Sequence, residues 1–140
     1  MRHWDHRSEP VAAIPVPAAR RRRGEIAHLS GLAAESAVER TYEARGARVL
    51  HRRWRGPGGE IDLILAEPDR VVFVEVKKAA THGAAAERVR PAQVQRIARS
   101  AMAFVDTLPG GALTDIRLDV ALVDGGGAVE LLENAFAGCC

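Results

Sequence analysis

The sequence predicts an α/β fold, a three-layer arrangement with a mixed central sheet in the order αβββαββ. Three observations carry this reading. Two stretches with helical apolar spacing, near residues 30–45 and 91–108, flank three short apolar runs bounded by glycine, proline and acidic turn residues. Two further apolar runs follow the second helix. The helix between the third and fourth strands permits a right-handed parallel crossover, which lets helices cover both sheet faces.

Taken in order, Ser30 reads as the N-cap of a helix running to about Arg45, with Leu32, Val38 and Tyr42 among its apolar positions and Gly46 as its stop. Ala47 to Trp54 reads as a strand, and Arg55-Gly56-Pro57-Gly58-Gly59 as the turn into a second strand, Glu60 to Ala66. Glu67-Pro68-Asp69 then turns the chain into Val71 to Lys78, completing a meander. On that third strand Val72, Val74 and Val76 face one side, and Phe73, Glu75 and Lys77 the other. Residues 79–90, rich in alanine with Gly83, read as an irregular connection. Pro91 suits the first turn of a helix that points Val94, Ile97, Ala101, Phe104 and Val105 inward and ends before Pro109-Gly110-Gly111. Ile116 to Val123 and Ala128 to Leu132 read as strands around the Asp124-Gly125-Gly126-Gly127 turn.

A chain of 140 residues fits one domain with one core. Residues 1–24 combine Pro10, Pro15 and Pro17 with the Arg20–Arg23 run and show no sustained period, so they read as a flexible basic tail, with the folded domain at 25–138. Aromatic residues make up 4% of the chain, so the core is expected to be aliphatic. The two cysteines, Cys139 and Cys140, are adjacent and terminal; they offer neither a disulfide framework nor metal-ligand spacing and read as free thiols. No stretch approaches the roughly 20 apolar residues of a membrane helix, and the arginine run is followed by polar residues rather than a signal-peptide core. The expected location is cytoplasmic, with no membrane partner.

The net charge of +2 hides an uneven distribution. Residues 1–30 carry six arginines against three acidic residues, and residues 31–140 carry fourteen basic against fifteen acidic. Net charge alone therefore gives no argument for nucleic acid. Local clusters do: Arg45, Arg48, Arg52, Arg53 and Arg55 in one stretch, and Arg88, Arg90, Arg96 and Arg99 in another. The competing explanation is a pair of solvated faces.

Eighteen of the twenty basic side chains are arginine, and the only two lysines, Lys77 and Lys78, stand together at the end of the third strand. An arginine keeps its proton, whereas a lysine near a metal or in a dry site can lose one and act on water. Glu75 shares a strand face with Lys77, and Asp62 lies in the neighbouring apolar run Ile61-Asp62-Leu63-Ile64-Leu65. Phosphodiester hydrolysis needs a nucleophilic water, a clamp on growing negative charge and help for the leaving oxygen, and carboxylates holding Mg²⁺ supply much of this. One or two carboxylates suffice for an ion that keeps several waters. Asp62 and Glu75 fit that role, Mn²⁺ being the natural substitute ion. Lys77 could orient the attacking water, take its proton or stabilise the transition state. Glu60 shares a strand face with Asp62 and could join the metal ligands, as could Glu35 if the first helix packs against this edge. The plainer explanation of Glu75 and Lys77 is a surface ion pair worth about 0–1 kcal/mol.

With these residues in view, the chain resembles the YraN family of the PD-(D/E)XK, restriction-endonuclease-like superfamily over about residues 31–136. The motifs are Gly31 and Ala34-Glu35, Gly59-Glu60-Ile61-Asp62-Leu63-Ile64, Val72-Phe73-Val74-Glu75-Val76-Lys77, Arg117-Leu118-Asp119-Val120 and Asn134-Ala135-Phe136. The resemblance implies a restriction-endonuclease-like fold in which Asp62 and Glu75 bind metal and Lys77 assists water. Glu35 would match the acidic residue that resolvase-like nucleases carry on their first helix. Two positions depart from the family pattern: Ala79 stands where an arginine is usual, and Gln93 where a lysine is usual. Arg88 or Arg90 could compensate in phosphate contact, and Gln93 could still donate a hydrogen bond, alongside Arg52, Arg53 and Arg55 as nucleic-acid-binding candidates.

The function expected from this reading is a Mg²⁺-dependent endonuclease acting on DNA, with branched or damaged structures as an option and a homodimer left open. A non-catalytic nucleic-acid-binding module on the same fold is the alternative, favoured by Ala79 and Gln93. A protein-interaction adaptor would leave the acidic cluster unexplained.

Overall fold

A computed structural model describes the backbone of residues 18–135 and the side chains of residues 31–135. Residues 1–17 of the expected tail, and the terminal cysteines, lie outside the described residues. The sheet, and the helical segments from Gly31 onward that pack on it, belong to the second of two units, Gly31–Cys140.

Helix α1 spans Ala18–Glu43, so Ser30 lies within a helix rather than capping one. Ala18 and Ala19 followed by four arginines form a run of strong helix formers, and an interior Gly24 costs only about 1 kcal/mol. The C-terminus matches the sequence reading. Gly46 takes φ +93°, and the Ala47 N–H returns to the Tyr42 carbonyl at 3.1 Å, closing the helix with a left-handed residue.

Strands β1 (Arg48–Gly56), β2 (Gly59–Glu67) and β3 (Arg70–Lys78) form the expected antiparallel meander. The connection expected to be irregular contains a short helix, α2 (His82–Ala86), whose N-cap Thr81 accepts from the Ala84 N–H at 3.1 Å. Helix α3 (Pro91–Val105) begins with proline in its first turn, where the missing N–H costs nothing. It buries all five of the expected apolar positions, and Ser100 with them. Strand β4 (Ile116–Val123) runs parallel to β3, and β5 (Val129–Leu132) pairs antiparallel with β4. The sheet order is β1-β2-β3-β4-β5, a mixed sheet with one crossover.

Two apolar layers clothe this sheet. On one face Ala34, Val38 and Tyr42 of α1 pack against Leu63, Leu65, Val72, Val74, Ala121 and Val123. On the other, Ile97, Ala101, Phe104 and Val105 of α3 pack against Ile61, Ile64, Val71 and Phe73. Most of the core is aliphatic, as the composition predicts. Tyr42, Phe73 and Phe104 are the exceptions, and the Phe104 ring meets those of His51, Trp54 and Phe73 edge-on at 5.3–5.8 Å, tying α3 to β1 and β3 at once. Among the described residues, no helix is long and apolar enough to cross a membrane.

Candidate active site

The site forms where β2 and β3 part. Their ladder runs from Glu67 opposite Arg70 to Leu63 opposite Val74 and stops there, while β3 stays paired with β4 as far as Lys78. Past Leu63 the β3 backbone needs another acceptor, and Asp62 provides it: its Oδ2 accepts from the Val76 N–H at 2.8 Å. A carboxylate therefore stands in for a strand carbonyl, which brings Asp62 to the base of the cleft beside Glu75.

The same region breaks the two-residue alternation of β1 and β2. Ile61 packs on the α3 side and Leu63 on the α1 side, although a regular strand would place them on one face. Across the hairpin, Arg53 adopts φ +53°, one of two non-glycine residues in the left-handed region among those described. Arg52 and Arg53 consequently both reach α1. Arg52 pairs with Glu39 at 2.5 and 3.0 Å, and Arg53 with Glu35 at 3.0 and 3.2 Å.

Glu75 and Lys77 share the α3 face of β3, as the strand period predicts. Glu75 is 8% exposed. Its Oε2 accepts from the Gln93 amide at 2.7 Å and lies 3.0 Å from Lys77 Nζ. Burial, then the nearby Asp62 charge, pushes the Glu75 carboxyl up to about 7, with Lys77 opposing. Around this cluster lies a cavity of about 280 Å³. Asp62 and Glu75 line it from the sheet, Gln93 and Arg96 from α3, Gly58 from the β1–β2 turn, and Gly59 and Glu60 from the start of β2.

Other candidates fall into two groups. Glu35 stands on α1 within electrostatic reach of the cleft: burial raises its pKa, Arg53 opposes, and the charges of Asp62 and Glu60 add to the rise. Arg55, Arg88 and Arg90 are exposed and do not line the cavity. Arg96, visible in the sequence only as part of a charge cluster, does line it.

Sequence reasoning also missed what holds the cleft in shape. Ser100 is fully buried; its hydroxyl accepts from the Gly58 N–H at 2.9 Å and donates to the Gly59 carbonyl at 2.8 Å. The turn rests so closely on α3 that a Cβ on Gly58 would sit 2.0 Å from the Arg96 carbonyl oxygen. The dense glycines signal a turn, but their contact with α3 leaves no mark in the sequence. Asp119, within one of the quoted motifs, is fully buried on the α1 face. It accepts from the Tyr42 hydroxyl at 2.7 Å, from Arg117 at 2.9 and 3.1 Å and from the Asn134 N–H at 2.9 Å. Those four donors commit Asp119 to holding α1, β4 and the chain after β5 together.

Among the described residues no three histidine, cysteine or acidic side chains converge closely enough to hold an ion unaided. The expected trio of Asp62, Glu75 and Glu60 is thus not assembled, and the pair Asp62 and Glu75 is what remains. That pair fits Mg²⁺, which binds through one or two carboxylates and completes its octahedron with water and substrate phosphate. The upward-shifted Glu75 beside Asp62 is the physical sign of the fit: a buried carboxyl and a half-buried one lie together, with one ammonium 3.0 Å from Glu75, and a divalent cation would relieve the excess charge.

Residues 34–123 match the family model described as Uncharacterised protein family UPF0102. The chain is 53% identical over 116 residues to a UPF0102 protein of Ruegeria sp., covering 83% of this chain and 94% of the relative. It is 51% identical over 114 residues to one of Cereibacter sphaeroides, covering 81% and 97%. A third, from Roseobacter denitrificans, is 48% identical over 127 residues, covering 91% and 98%. The matched segment runs from the middle of α1 to the end of β4 and so contains the whole cleft, and on this similarity the chain belongs to the UPF0102, or YraN, family.

Proposed function

We propose that the chain is a metal-dependent endonuclease that hydrolyses phosphodiester bonds in DNA. The observation that carries this reading is the meeting of Asp62 and Glu75 where β2 leaves β3, with Lys77 Nζ 3.0 Å from Glu75. Asp62 and Glu75 would hold Mg²⁺, which when bound supplies Lewis-acid stabilisation of the phosphate and lowers the pKa of water. The residues then divide the remaining work. Gln93 fixes the Glu75 carboxylate so that one oxygen keeps its direction. Lys77, with its Nζ 3.0 Å from Glu75, would orient the attacking water or meet charge growing on the phosphate. Arg96, which lines the cavity from α3, would offer its guanidinium for two-point contact with phosphate.

The test is incubation of the purified full chain with branched, single-stranded and duplex DNA in Mg²⁺ or Mn²⁺. Cleavage is expected to vanish with EDTA and in Asp62→Ala and Glu75→Ala, and to fall steeply in Lys77→Arg, whose bulkier, permanently charged head cannot reproduce the lysine. Equal cutting by Lys77→Arg and the parent would remove the lysine from the chemistry. One observation favours a second reading, a binding module without turnover: Glu75 Oε2 is already engaged by both Gln93 and Lys77. That reading predicts salt-dependent DNA binding that survives Asp62→Ala, with no metal-dependent cutting.

A further inference from the structure

Resting on the nuclease reading for its partner, DNA, we infer that the outer flank of α3, where Arg96 and Arg99 stand beside Ala92 and Ala103, is the track along which the phosphate backbone leaves the cleft. The opposite flank of α3 is already spent, since Val94, Ile97, Ser100, Ala101, Phe104 and Val105 are buried. At about 3.6 residues per turn, positions 92, 96, 99 and 103 follow one another at steps of four, three and four and fall on one stripe, turned away from those buried side chains. Ala92, Arg96 and Arg99 are exposed. Only the two arginines rise from this stripe, because the alanines beside them are small enough to let a nucleic-acid backbone come close.

The stripe begins at the cavity. Arg96 lines it, and Gln93, a surface neighbour of Arg96 three residues earlier, donates to Glu75 Oε2 at 2.7 Å. Gln93, Arg96 and Arg99 thus climb from the site carboxylate to open solvent in equal steps, each of about 4.5 Å along the helix axis. Charge favours this flank over the other side of the sheet. None of the fifteen residues of α3 is acidic, whereas Gly31–Glu43 of α1, on the opposite sheet face, sets Glu35, Glu39 and Glu43 against Arg40. Arg45, Arg52, Arg53, Arg70 and Arg117 each pair with a carboxylate, while Arg96 and Arg99 pair with none among the described residues. A phosphate reaching Arg52 or Arg53 would have to displace Glu39 or Glu35. At Arg96 and Arg99 it meets a guanidinium with no such competitor.

The experiment measures how binding of the full chain to a duplex and to a single-stranded oligonucleotide of equal length falls with salt, in EDTA so that no metal-dependent cutting intervenes. Arg96→Gln/Arg99→Gln should lower the slope of log K against log salt by about 1.8 on the duplex and about 1.4 on the single strand, the loss of two phosphate contacts. Arg99→Gln alone should remove half of that. Arg52→Gln/Arg53→Gln, first shown by thermal melting to be folded, should keep the parent's slope. An unchanged slope in the α3 double variant, an equal fall in the Arg52/Arg53 variant, or no binding by the parent at low salt overturns the proposal. Cleavage in Mg²⁺ separates the two levels. If cutting depends on Asp62 while the α3 variants keep the parent's slope, only the track falls; if the slope falls as expected but nothing is cut in any metal, the track stands as a binding surface and the nuclease reading fails.

Discussion

Replacing Glu75 by glutamine should make the metal-free protein more stable above pH 7. In the cleft Glu75 is 8% exposed, with the Asp62 charge beside it and Lys77 against it, so above pH 7 the ionised Glu75 carries a buried charge that Lys77 offsets only in part. Glutamine keeps the shape, accepts the Gln93 amide through its own carbonyl and removes the charge beside Asp62. A carboxyl raised from 4.5 to about 7 binds its proton more tightly in the folded state. Folding therefore loses stability as pH rises from about 4.5 through about 7. At about 1.36 kcal/mol per pKa unit, the burden reaches about 3.4 kcal/mol well above pH 7, and loss of the Lys77 contact trims the expected gain to about 2 kcal/mol. For a chain of this size that corresponds to a melting temperature roughly 4–8 °C higher. Thermal melts of parent and Glu75→Gln in EDTA from pH 5 to pH 8.5 read the effect directly: the curves should coincide near pH 5 and separate with rising pH. A variant less stable than the parent at pH 8, or a difference independent of pH, would refute the electrostatic account of the cleft.

Gly58→Ala should cost about 3 kcal/mol, because the new methyl group meets the Arg96 carbonyl at 2.0 Å and lifts the turn off Ser100; urea unfolding measures it, and a loss under 1 kcal/mol would contradict the tight turn–helix contact. Asp119→Asn should cost about 3–4 kcal/mol, since Arg117 loses a buried partner and the new amide confronts donors on every side. Its Mn²⁺ affinity, measured by calorimetry at a temperature where the variant is folded, should match the parent's, which separates this structural carboxylate from the one at Asp62.

Much of the architecture is legible in the sequence because local rules decide it. Strict alternation through Val72, Val74 and Val76 settles which face of β3 carries Glu75 and Lys77, and the 3.6-residue spacing from Val94 to Phe104 settles which face of α3 is buried. Pro91 and Gly46 mark a helix start and a helix end for backbone reasons that need no partner. Ser30 misleads because a capping residue is also tolerated inside a helix, and only the helix-forming run before it decides between the two. The α2 turn is missed because His82 followed by Gly83 and three alanines carries no periodicity.

The cleft is less legible, since its geometry depends on where ladders stop. Nothing in Ile61-Asp62-Leu63 reports that β2 leaves β3 there, or that Asp62 will serve a β3 amide in place of a carbonyl. An arginine in the left-handed region is equally silent, so the Arg53 clamp on Glu35 emerges only from coordinates. Ser100 and Gly58 are ordinary residues forty-odd positions apart whose importance is their contact.

The most direct test of the account is a crystal of the protein soaked in Mn²⁺ and measured for anomalous scattering. The account predicts a peak within coordination distance of the Asp62 and Glu75 carboxylates, open to the cavity that Gln93 and Arg96 line. A peak elsewhere, or none at Mn²⁺ concentrations that saturate the protein in calorimetry, would contradict it.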